Sequence, residues 1–134
     1  MADQFPDPEK ATRALLDELL ADHEPDVTVA AGVPRNWTTA SPTHVEVAWD
    51  GSSSTHAFGG AGIRMLATIR LVVRSATTSE AKRVALLCQG LLIGSTGHGI
   101  TAIRPGIGVA PARDPQTNAE LAGFTVLATV RAQL

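Results

Sequence analysis

I-R-M-L-A-T-I-R-L-V-V-R at residues 63–74 and L-A-G-F-T-V-L-A-T-V-R-A-Q-L at residues 121–134 decide the fold class of this chain. Side chains of a strand alternate between its two sides, so each run can be sorted into faces. In the first, Ile63, Met65, Ala67, Ile69, Leu71 and Val73 share a face. Arg64, Thr68, Arg70 and Arg74 stand opposite, interrupted only by Leu66 and Val72. In the second, Ala122, Phe124, Val126, Ala128, Val130 and Ala132 stand against Thr125, Thr129, Arg131 and Gln133. One apolar and one polar face is the pattern of an antiparallel sheet covered on one side. The other side is left for water or for another subunit.

The covering layer is legible on either side of these runs. Asp7-Pro8 predicts a helix start, with Asp7 as cap and Pro8 at the first helical position. Leu15, Leu16, Leu19 and Leu20 form one stripe, and Pro25 stops the helix near His23. Thr77-Thr78-Ser79-Glu80 has the form of a capping box. It opens a second helix to about Ile93, with Val84, Leu87, Cys88, Leu91 and Leu92 inward and Gly94 and Gly97 at its end. Shorter strands are expected at 26–31, 43–50, 100–104 and 109–113. A loop is expected at 32–42, and a turn at 114–118 before the last strand. In 43–50, Val45, Val47 and Trp49 alternate with His44, Glu46 and Ala48. The order α-β-β-β-α-β-(β)-β is that of an α+β fold, a mainly antiparallel one-sided sheet with two helices packed on its apolar face. The two long strands are expected to be central.

G-S-S-S-T-H-A-F-G-G-A-G, residues 51–62, is expected to be a flexible connection, since hairpin loops usually run about 2–5 residues. His56 and Phe58 make it a candidate docking loop.

With 134 residues the chain is expected to be a single domain, and at 44% hydrophobic it is not a disordered one. No apolar stretch reaches membrane-spanning length, and the acidic start does not have the form of a signal peptide, so no membrane partner is expected. The lone Cys88 excludes an internal disulfide and falls in an apolar helical run, where an inert buried thiol is expected. Net charge is −2, but unevenly distributed. Residues 1–24 hold seven acids against Lys10 and Arg13, and the remainder holds six acids against nine bases.

Catalytic and ligand motifs do not assemble. Gly94–Gly99 follows a helix and lacks the Gly-Lys-Ser/Thr ending of a phosphate loop. Gly106-Ile107-Gly108 lacks the rest of a dinucleotide fingerprint. His23, His44, His56 and His98 do not pair with one another or with cysteine at metal-ligand spacing. No cofactor, metal or catalytic residue is therefore assigned. His44 with Glu46, or His98 near Ser95 and Thr96, would be the starting point of a hydrolase reading, but no nucleophile elbow accompanies them.

The arginine row carries more weight. Arg64, Arg70 and Arg74 share the polar sheet face, and Arg131 can join from the last strand. Such a face is a solvated surface, a subunit interface, where arginine is enriched, or a nucleic-acid surface. The first two rank above the third, because net charge is negative and tyrosine is absent. The acidic first helix, with Asp17 and Glu18, is expected to pair with such a surface on a neighbouring copy. Arg64, Arg70, Arg74, Arg131, Glu46, Asp17 and Glu18 are thus candidates for a subunit or lumen interface.

The layout resembles the tail terminator proteins of long-tailed bacteriophages, especially the small ones from phages of actinobacteria. The resemblance is carried by the helix 7–23, the strand 43–49, Arg64–Arg74 leading into 77–92, and above all I-R-P-G-I-G-V-A-P-A-R-D-P-Q-T-N-A-E-L-A-G-F-T-V-L-A-T-V-R at 103–131. It implies a non-enzymatic virion subunit, assembled in the host cytoplasm into a homohexameric ring on the head-proximal end of the tail. Such a ring stops tube polymerisation and docks the head–tail connector, while DNA passes through its lumen without sequence recognition. Its partners would be further copies, the tail tube protein and the connector or head-closure protein. A head-closure protein of the same neck is the alternative within this class.

Overall fold

A computed structural model describes residues 5–56 and 63–132 of the chain. The first helix, α1, runs Pro8–Ala21. Pro8 occupies its first turn, and the Asp7 carboxylate accepts from the backbone N–H of Glu9 at 3.0 Å and Lys10 at 3.3 Å. The cap thus satisfies two of the donors a helix start leaves open. After it come β1 (Thr28–Ala30), β2 (His44–His56) and β3 (Ile63–Ser75). The second helix, α2, spans Thr78–Leu92, and Thr77 Oγ1 accepts from Glu80 N at 3.2 Å. The Glu80 carboxylate turns to Arg83 at 2.6 Å, so the expected box is made on its threonine side. The chain closes with β4 (Ile100–Pro105), β5 (Ala110–Arg113) and β6 (Glu120–Arg131).

The sheet order is β1-β2-β3-β6-β4, with β5 also on β6. Only β1 on β2 is parallel. The two long strands pair with each other in unbroken register, from Arg64↔Arg131 to Ser75↔Glu120. Their apolar alternation emerges as drawn from sequence. Ala67, Ile69, Leu71, Val73, Ala122, Val126, Ala128 and Val130 are fully buried. Both helices lie on this face, α2 over β3 and β6, and α1 over β1 and β2 and against α2. Leu16, Leu20, Val84, Ala85, Cys88 and Leu92 complete the core. Each large side chain so enclosed contributes about 1.5–3 kcal/mol. This is the α+β, one-sided architecture expected.

Two expectations change. Residues 51–56 are strand, not loop, because β2 continues as the partner of β3 to His56↔Ile63. The first half of β3 needs partners for its backbone on both edges, and serines serve as well as valines for that. A bulge between Trp49 and Ser52 sets two residues against one, and Gly51 takes φ +121° there. The rest of the expected loop, with Phe58, lies outside the described residues; for His56 only the backbone is described. Trp49, at the start of that bulge, is 43% exposed rather than turned inward with Val45 and Val47.

The outer edge also carries a bulge. Between Pro105↔Val126 and Ala110↔Gly123, residues 106–109 stand against Phe124 and Thr125 alone. Gly106 N donates to Thr125 O at 3.0 Å, Thr125 N to Ile107 O at 3.0 Å, and Ile107 N to Thr125 Oγ1 at 2.6 Å. Ile107 is left 72% exposed.

Candidate interaction face of the sheet

The sheet face away from the helices holds the arginine row, and the structure divides it into a closed and an open half. At the closed end, residues 31–43 fold across. Trp37 is buried, donates from Nε1 to Pro42 O at 3.0 Å, and lies under the Arg74 guanidinium, 5.6 Å from its ring centre. Arg74 Nη1 donates to Asp114 Oδ2 at 2.8 Å and to Thr117 Oγ1 at 3.1 Å. Arg74 is therefore an internal clasp joining the 31–43 segment to the turn before β6. The guanidinium, helped by the backbone N–H of Gln116, holds the Asp114 carboxyl below its ordinary range.

His44 is the register partner of Arg74 and is 1% exposed. Its Nε2 donates to the Gly32 carbonyl at 2.6 Å, since a carbonyl can only accept. The Thr28 hydroxyl meets Nδ1 at 2.7 Å. Both ring nitrogens thus tie β1 and the 31–43 segment to β2. His44, set beside Glu46 on the polar strand face by the sequence, is instead enclosed, because residues 31–43 fold over the sheet. Glu46 is half-buried on the same face, two residues along.

Towards the middle, Arg70 Nε lies 3.5 Å from Asp50 Oδ2, both side chains largely in solvent. Beyond it is the open half. Arg64 and Arg131 face each other across β3 and β6, both exposed. Arg104, a residue the sequence reading did not single out, stands on β4 opposite Leu127 and is also exposed. Half-buried Leu66, Leu127 and Ala102 fill the space between the charges. The face is amphipathic rather than polar.

On the other side of the molecule, Asp17 and Glu18 are exposed on α1, followed by Asp22 at its C-cap and by Asp26. Glu18 Oε1 meets His98 Nε2 at 2.8 Å, and Glu24 pairs with Arg83 of α2. His98 sits at φ +54° between Gly97 and Gly99, both also at positive φ. It borders a cleft with Pro6, Asp7, Lys10, Ala11 and Ala14. Asp7 there caps α1, and among the described residues His98 Nε2 is held by the Glu18 carboxylate. Burial pushes the Cys88 thiol up to about 12, which keeps it protonated and inert.

Among the described residues no group of three or more His, Cys, Asp or Glu could hold a metal ion. No described helix is long and apolar enough to cross a membrane. No family model and no curated protein matches the chain. Among solved structures, it is similar to a chain of the virion of a native gene transfer agent particle, with a TM-score of 0.52 at 15% identity. The match covers 88% of this chain and 85% of that one. At that identity the likeness is one of fold, and it extends over nearly the whole of both chains.

Proposed function

We propose that this chain is a structural virion subunit, a tail terminator that forms a homohexameric ring on the head-proximal end of a tail tube. The ring stops tube polymerisation and offers its other surface to the head–tail connector, while DNA passes through the lumen. The observation that carries this reading is the fold shared with a gene-transfer-agent virion chain over 88% of the length. Two features support it. The histidines placed by the structure serve packing and ion pairing rather than a reaction centre. The exposed end of α1 carries Asp17, Glu18 and Asp22 while the outward sheet face carries Arg64, Arg104 and Arg131, so the subunit presents unlike surfaces of the kind a head-to-tail ring joins.

Electron microscopy of the purified chain, alone and with matching tail tubes, tests the proposal. Rings, or caps at one end of each tube, are the expected result. Tubes that keep growing and carry no cap at either end would remove it. Binding to connector complexes without binding to tubes would move the chain to the head-closure position.

A further inference from the structure

We infer that the outer face of α2 is a two-fold contact surface, on which α2 of a second copy of this chain lies antiparallel and crosses at Gly90. A two-fold contact pairs copies and stops, so it adds to the head-to-tail ring proposed above and does not form it.

Packing of α2 on the sheet leaves Leu86 58% exposed and Ile93, at its C-cap, 37% exposed. Seven residues apart, they lie on one face of the helix, and Lys82, exposed four residues before Leu86, extends the same line. Gly90 stands between them and is exposed too. Glycine weakens a helix relative to alanine. At Gly90 no left-handed φ calls for it, and no described atom lies within 4 Å of the place a Cβ would take. Inside the subunit a larger residue would fit there and would make a better helix. Breaches of a local rule that bring the subunit nothing are found at functional positions. What glycine permits is close approach, because the distance between packed helices depends on the side chains at their crossing.

Spacing and charge select a second α2 as the occupant. Gln89 and Gly90 lie midway between Leu86 and Ile93, so a two-fold axis there sets Leu86 of each copy against Ile93 of the other. The same placement carries Lys82 to the C-terminal end of the other helix. That end bears partial negative charge and favours a cation, and the last turn of α2 has no basic residue of its own. Arg83, next to Lys82, is already paired with Glu80 and Glu24. Ile107, at 72% the most exposed large apolar side chain among the described residues, is a poorer occupant. It is flanked in sequence by exposed Arg104 and Arg113, which would meet Lys82 as like charges.

Full-length Gly90→Leu and Leu86→Glu test the contact. Thermal unfolding of dilute protein checks the fold, and Gly90→Leu should melt at or above the wild-type temperature. In sedimentation velocity from micromolar to millimolar protein, the wild type is expected to dimerise, and each variant to lose at least about tenfold in dimer affinity. A substitution that strengthens the subunit while weakening the dimer does not act by misfolding. Gly90→Cys locates the axis. Mild oxidation is expected to link it to itself, since a disulfide needs Cα atoms within about 7 Å of each other, and the only other thiol, Cys88, is buried. Absence of that link would overturn the two-fold placement. A wild type that stays monomeric through the millimolar range, or a Gly90→Leu chain that dimerises as well as the wild type, overturns the inference. So does a Gly90→Leu chain that dimerises normally but no longer caps tail tubes, because the ridge would then belong to another virion protein. The ring reading is judged separately, by whether the wild-type chain caps tubes.

Discussion

Gly106→Ala should destabilise the chain, against the usual sign of such a change. At a position with ordinary φ, replacing glycine by alanine in a loop stabilises by about 0.4–1 kcal/mol, because the unfolded chain loses freedom. Gly106 is not in the left-handed region, so backbone strain does not decide the case. Space does. A Cβ on Gly106 would fall on Thr125 Oγ1 and lie 2.9 Å from Thr125 O. Turning the threonine away breaks the 2.6 Å bond that Ile107 N donates to its hydroxyl. It still leaves the clash with a carbonyl that accepts from Gly106 itself at 3.0 Å. Forcing a methyl into a packed site costs about 1–3 kcal/mol, and a lost hydrogen bond about 0.5–1.5 kcal/mol. The net loss should be about 2–4 kcal/mol, which for a chain of this size lowers the melting temperature by roughly 10 °C. Gly108→Ala is the internal control. It lies in the same bulge with nothing within 4 Å of its added Cβ. It should be neutral or slightly stabilising. Urea unfolding of both variants, followed by circular dichroism, gives the comparison. If Gly106→Ala is as stable as Gly108→Ala, the bulge is not held as described.

Other outcomes follow from the same contacts. His44→Ala removes both bonds of a buried ring and should cost about 2–4 kcal/mol, with hydrogen exchange rising first at 28–43; unchanged protection there would show that His44 does not anchor that segment. Cys88 should resist a thiol reagent in the folded chain at neutral pH and react fully in denaturant, and rapid native labelling would contradict its burial. The Arg74–Asp114 pair has a defined pH signature. A carboxyl held below its ordinary value of 3.8 adds stability above that value and loses it as pH falls through the lowered one. The stability gap between wild type and Arg74→Gln should therefore be full at about pH 7 and smaller at about pH 3; a gap that widens on acidification would reverse the assignment.

What local pattern determines was present in the sequence. The faces of β3 and β6 follow from a period of two, the start of α1 from Asp7-Pro8, and the acidic character of α1 from composition. Each depends on residues a few positions apart, and tertiary structure had only to bring the faces together. The loop expected at 51–62 was wrong over 51–56 for the opposite reason: Ser52–His56 are strand because β3 needs backbone partners, a demand set by the facing residues from Ala67 back to Ile63. The roles of the arginines could not be read either. Arg64, Arg70 and Arg74 are equivalent by spacing, yet Arg74 is half-buried over Trp37 and paired with Asp114, while Arg64 stands exposed opposite Arg131. His44 stands beside Glu46 on the polar strand face by alternation, and only the folding of residues 31–43 over it encloses it. The sequence by itself determined which side of each element is apolar, because that is a property of neighbours along the chain. Only the tertiary structure decided which polar groups are tied to distant segments of the subunit, as Arg74 is to Asp114 and His44 to Gly32, because that depends on which segments come to lie across the sheet.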